Sequence, residues 1–144
     1  RPRMSSSSIT RTRGSFIRLS YRAAAAIATP EAEARRMARI LIHEPHPDVR
    51  VLLAAVVRRA GHDPVGQGEL ASDDTPELMI LEPASADGLA AAVRLRRRLE
   101  GLPIICTSIE PPTRATKALE PVAYLVKPFR LGELEAAIAS ALAA

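Results

Sequence analysis

The sequence predicts a doubly wound α/β domain over residues 37–144, and three observations carry that prediction. Four short apolar runs stand out: Ile40-Leu41-Ile42, Leu78-Met79-Ile80-Leu81, Ile104-Ile105-Cys106 and Tyr124-Leu125-Val126. They are continuous rather than alternating, as strands buried on both faces of a parallel sheet are. Amphipathic helical patterns lie between and after them, and strand alternating with helix is the pattern of a layered parallel sheet.

Residues 1–36 stand apart as a basic, Arg/Ser-rich N-terminal extension. They carry eight Arg against two Glu, a net of +6, whereas residues 37–144 carry twelve Lys+Arg against fourteen Asp+Glu, a net of −2. "RPRMSSSSITRTRGSFIRLSYR" has the composition of a transit peptide or a flexible tail, and the extension is expected to be disordered or partly helical. "TPEAEARRMA" has helix-start chemistry, with Thr29 as cap, Pro30 at the first position and Glu31 in the first turn. A short helix is expected at about 30 to 38, and Met37 is a plausible native start.

The first strand ends in "HEPHPD", where Pro47 reads as the first helical residue, His46 as its cap and Asp48 as a favourable acid at the positive helix end. Val49, Leu52, Leu53, Val56 and Val57 then fall at i, i+3, i+4, i+7 and i+8, a full amphipathic stripe closed by Gly61. "HDPV" at 62 to 65 is a weaker strand that Pro64 confines to an edge. The link "GQGELASDD" leaves room for one helical turn at most before the next strand. Further helices are expected over about 87 to 99, about 113 to 119 after Pro111-Pro112, and along Leu131, Leu134, Ile138 and Leu142.

Several function classes are excluded at this level. All of the basic excess lies in the extension, so the folded part has no electrostatic case for nucleic acid. Four arginines at 94, 96, 97 and 98 lack interleaved aromatics and read as a solvated helix face. No window approaches the roughly 18 apolar residues of a membrane span. A single cysteine, Cys106, allows no internal disulfide and suits a reducing compartment. There is no glycine-rich phosphate loop and no nucleophile elbow around Thr107 and Ser108, so the chain is not expected to be an enzyme.

His43, Glu44, His46 and Asp48 could be a metal site, an acidic pocket or the polar end of a strand. In an extended strand His43 and Glu44 point to opposite faces, and Pro45 and Pro47 fix two backbone torsions, so a compact cluster is hard to build. His43 reads as a hydrogen-bonded core histidine. A metal-binding protein using His43, Glu44 and His46 remains an alternative.

"ILIHEPHPDVR", "PELMILEP", "PIICTS" and "AYLVKPF" follow in the order and spacing of the response-regulator receiver domain of two-component signalling, which residues 37–144 resemble. The resemblance implies a five-stranded, flavodoxin-like sheet of order 2-1-3-4-5, here with a reduced second helix. In that family a phosphoryl group is placed on an aspartate after the third strand, beside Mg²⁺ held by that residue and by acids after the first. Cations and donors converge there on a dianion. Carried over, Lys127 matches the family lysine and Pro128 the proline after it, whose peptide bond is cis in the family. Thr107 fits the phosphate-binding hydroxyl, Tyr124 the aromatic switch and Glu44 the first acid of the pair.

Two positions depart from the pattern. Pro45 stands where the second acid belongs, and Glu82 stands where the phosphoacceptor aspartate belongs. Mg²⁺ takes near-ideal octahedral geometry, so Glu44 and Glu82 should hold it weakly at best, and no cofactor is expected. Glutamate also carries its carboxylate one methylene further out, and a shift of about 1 Å can cost roughly 10²-fold in rate. Glu82 and Lys127 are then either a buried ion pair or a standing mimic of the phosphorylated state, with the carboxylate reaching Lys127 and Thr107. The resemblance implies an atypical, phosphorylation-independent bacterial receiver in the cytoplasm. It would bind a partner signalling protein through the fourth helix, fifth strand and fifth helix, around Arg114, Lys117, Tyr124 and Glu133, with a homodimer also open. The alternative is a conventional phosphoaccepting receiver with Mg²⁺. The shortened link should expose apolar sheet unless the helix at about 30 to 38 or a second subunit covers it.

Overall fold

The computed structural model describes residues 6–12, 15–21, 36–71 and 73–144. Seven strands form one sheet: β1 (Ser6–Thr12), β2 (Ser15–Tyr21), β3 (Arg39–His43), β4 (Asp63–Gly66), β5 (Leu78–Leu81), β6 (Ile104–Ser108) and β7 (Ala123–Val126). Among the described residues four α-helices lie between and after the last five strands: α1 (Pro47–Arg59), α2 (Ala86–Arg98), α3 (Arg114–Ala118) and α4 (Leu131–Ala143). The sheet order is β1-β2-β7-β6-β5-β3-β4, in which β4-β3-β5-β6-β7 are parallel and reproduce the order 2-1-3-4-5.

Strict alternation along the strands explains why their apolar runs are unbroken. Ile40, Ile42, Leu78, Ile80, Ile105, Ala123 and Leu125 face one layer with Leu53, Val56 and Val57 of α1 and Leu134 and Ile138 of α4. Leu41, Met79, Leu81, Ile104, Cys106 and Tyr124 face the other, with Ala91, Ala92 and Leu95 of α2. Period-2 geometry sends neighbouring side chains to opposite faces, so a strand covered on both faces must be apolar throughout.

The local signals place the ends. His46 is the extended N-cap of α1 with Pro47 inside it, and Gly61 follows the helix at φ +91°, a backbone state other residues adopt at a cost. Pro64 lies in β4, which pairs with β3 alone and so can omit a donor. Thr113 accepts from the Thr116 backbone N–H at the start of α3, and Ser85 from that of Gly88 at the start of α2. The α1 stripe is narrower than predicted, because Leu52 is 46% exposed.

The rest of the chain adds to this pattern. The five-stranded parallel sheet is as expected, and Ser6–Thr12 and Ser15–Tyr21, expected to be disordered or partly helical, add an antiparallel hairpin paired to β7. The segment contains Ile9, Thr10, Thr12, Phe16, Ile17 and Tyr21, residues of high strand propensity that its arginines and serines obscure. The helix expected at about 30 to 38 lies mostly outside the described residues, and Arg36–Ala38 are not helical. The second helix of the parallel pattern is reduced to one 3₁₀ turn, Gln67–Glu69, as predicted. Beneath it the sheet is not bare: Leu41 and Met79 are fully buried, and Leu70 of the link packs against that layer.

Candidate functional site

The carboxyl ends of β3, β5, β6 and β7 bring Glu44, Glu82, Thr107 and Lys127 to one edge of the sheet, where α/β folds place their ligand sites. Lys127 is the centre. Its ammonium donates to Glu44 Oε1 at 2.8 Å and to Glu82 Oε2 at 3.0 Å. Both carboxylates are buried, and the lysine is only slightly exposed. Burial alone would lower the Lys127 pKa. The hydrogen bonds and charges of Glu44 and Glu82 outweigh it, so the ammonium is held above its ordinary value.

The second oxygen of each carboxylate is also engaged. Glu44 Oε2 accepts from the His46 backbone N–H at 3.0 Å, and Glu82 Oε1 from that of Ala84 at 2.8 Å. Arg50 donates to the Glu44 carbonyl at 2.9 Å, tying the first turn of α1 to the end of β3. The Lys127–Pro128 peptide bond is cis, as the resemblance implied. The geometry goes beyond the predicted Glu82–Lys127 pair, because Glu44 joins it.

Other predicted residues land differently. The Glu82 carboxylate does not reach Thr107, whose Oγ1 is buried without a hydrogen-bond partner. His43 is not hydrogen-bonded at Nδ1, which is likewise buried and unpartnered. His46 and Asp48 are exposed, and among the described residues no three His, Cys, Asp or Glu side chains are placed to share a metal. The metal reading of His43, Glu44 and His46 therefore fails on geometry, as the two prolines foreshadow. Tyr124 is buried and donates its hydroxyl to the Glu110 carbonyl at 2.6 Å, so it lies beneath the surface that Arg114 and Lys117 present. Arg96 is not a solvated arginine: Nε donates to the Leu102 carbonyl and Nη1 to the Leu119 carbonyl, each at 2.7 Å.

Neither a protein-family model nor a curated protein sequence matches the chain. Solved structures do. The BeF₃-activated DrrB receiver domain superposes with a TM-score of 0.66 at 12% identity, over 76% of this chain and 100% of that one. Its fold is that of a response-regulator receiver domain. NtrX from Brucella abortus, solved with ADP, matches this receiver fold with a TM-score of 0.63 at 26% identity, over 75% of this chain and 26% of NtrX. The PhyR stress response regulator matches at 0.58 and 27% identity, over 78% of this chain and 47% of PhyR. Receiver domains of this kind are signalling rather than catalytic domains, and among the described residues no helix is long and apolar enough to cross a membrane.

The receiver fold implies Mg²⁺, and the donor set here does not fit it. An octahedral cation needs free oxygen ligands. Pro45 brings no side-chain oxygen, and the carboxylates of Glu44 and Glu82 are both turned onto one ammonium and onto backbone N–H groups. The one positive charge this acid pair shares is covalently part of the chain.

Proposed function

We propose that this chain is an atypical receiver domain that signals by binding a partner protein in the bacterial cytoplasm, without aspartyl-type phosphorylation. The observation that carries this reading is the Lys127 bridge between Glu44 and Glu82. A lysine that serves a phosphoryl group must be free to meet it; this one is hydrogen-bonded to both buried acids. Glu82, in place of an aspartate, engages Lys127 together with Glu44, so the lysine rests in one hydrogen-bonded arrangement. The partner surface is the face of α3, β7 and α4, where Arg114 and Lys117 are exposed and Glu133 accepts from the Arg130 backbone N–H.

The second reading is a phosphoaccepting receiver, favoured by the unpartnered hydroxyl of Thr107. Incubation with a small phosphodonor and Mg²⁺, followed by intact mass, separates the two. The unchanged mass supports the phosphorylation-independent reading. A gain of one phosphoryl group that disappears in Glu82→Gln overturns it.

A further inference from the structure

The parallel part of the sheet would end at β7, leaving the backbone edge of Ala123–Val126 open. An open edge is a template for another strand, and an apolar one invites association. "AYLV" carries no charge and no proline. In this chain the edge is taken by β2, which runs antiparallel to it with Phe16 opposite Tyr124 and Ile17 opposite Ala123.

The pairing is lopsided. Within the hairpin, β1 and β2 pair at seven positions, but β2 meets β7 at only two. The hairpin is thus a cohesive unit held to the domain by a short ladder. Its tether permits release. Because β2 opposes β7 in direction, it ends at the side of the sheet where β3 begins, and residues 22–38 join the two. That link has to cross four strand spacings, about 19 Å, and 17 residues can reach roughly 55 Å. Chain length alone therefore does not force the hairpin onto β7.

Docking also changes which edge the sheet presents. With the hairpin in place the outermost strand is β1, "SSSITRT", which is polar and contains Arg11, the kind of residue that blunts an edge. We propose that the N-terminal hairpin is a self-supplied ligand of the β7 edge that holds it closed to a second copy of the chain. A second copy is the fitting occupant, because two β7 edges can pair antiparallel about a two-fold axis, each offering the same groups to the other. The inference deepens the reading of α3, β7 and α4 as the partner surface and rests on it, while being independent of whether Glu82 is phosphorylated.

The test compares the full chain with Ile17→Pro, since proline in a strand paired on both sides removes a ladder donor. Hydrogen exchange of Ala123–Val126, read at a concentration where both proteins are monomeric, should be faster in the variant. Light scattering at rising concentration should show the variant dimerising at least about tenfold more tightly than the wild type. A protease site inserted between Ala25 and Ala26, cut after folding, repeats the comparison without proline. Equal exchange in both proteins would show that the hairpin does not hold the edge. Faster exchange with no gain in dimer would show that the edge is not a self-association surface. Either result overturns the proposal, and neither bears on the phosphodonor experiment.

Discussion

Lys127 and Glu44, 83 positions apart in the chain, meet at 2.8 Å, and Glu82 joins them from a third strand at 3.0 Å. Three strand ends are thereby tied through one ammonium. An ion pair taken out of water contributes little net stability when intact, but losing one partner leaves the rest uncompensated.

Lys127→Ala is accordingly expected to destabilise the fold by about 3–5 kcal/mol. Urea unfolding of the two proteins measures it directly. A variant as stable as the wild type would show that the bridge is not formed in solution.

The same bridge sets an alkaline limit. Burial disfavours the Lys127 charge, but the two carboxylates more than reverse this, so its folded pKa lies above the unfolded one. A group raised in this way stabilises fully below its unfolded pKa, about 10.4 for lysine, and that contribution is lost as pH rises through the folded value. The stability difference between the wild type and Lys127→Met should therefore hold from neutral pH to about pH 9 and shrink above about pH 10.5. Taking the difference removes the Tyr124 and Cys106 titrations, which also move upward. A difference that grows with pH would contradict the sign.

Gly88, in the first turn of α2, lies against the site. A Cβ there would come within 2.8 Å of Leu81 Cδ1, 3.0 Å of the Glu82 carbonyl and 3.2 Å of His43 Nδ1. Helix propensity alone favours alanine over glycine by about 1 kcal/mol. Crowding against the Glu82 backbone should reverse that sign, leaving Gly88→Ala about 1–3 kcal/mol less stable. Chemical denaturation checks it, and a stabilised variant would mean that α2 is free to move away.

Arg96 distinguishes structure from surface on one helix. Its two bonds to the Leu102 and Leu119 carbonyls tie α2 to the loops before β6 and β7. Arg96→Ala should cost about 1–3 kcal/mol, whereas Arg97→Ala, on the exposed side, should stay within about 0.5 kcal/mol. Paired thermal melts compare them.

Cys106 should be inert. Burial first, then the nearby Glu82 charge, push its thiol up to about 12 against a smaller opposing pull from Arg96. Since the thiolate is the reactive form, an alkylating reagent at about pH 8 should label Cys106 only after denaturation. Rapid labelling of the native protein would place the residue outside the core.

Much of the fold was legible because its strongest signals are local. Continuous apolar runs such as Leu78–Leu81 can satisfy only a strand covered on both faces, and Pro47, Gly61 and Pro64 mark ends by their own backbone chemistry. Distant pairings were harder to read. The hairpin of β1 and β2 is local, but its arginines and serines look like a disordered tail, and its docking on β7 joins positions far apart in the chain. Arg96 resembles any exposed helix arginine until the Leu102 and Leu119 carbonyls come near it. At the site, Glu82 and Lys127 were readable as a pair. That Glu44 would share the same ammonium, and that Thr107 would stay unpaired, depended on side-chain geometry that spacing does not encode.

The central claim is that Glu44 and Glu82 are committed to Lys127 rather than to a divalent cation. A thermal titration of the full chain with Mg²⁺ tests it most directly, because a ligand of the folded state raises the melting temperature in proportion to ln(1 + [L]/Kd). The account predicts no saturable rise for the wild type up to millimolar Mg²⁺. A saturable rise that is abolished in Glu82→Gln would contradict it.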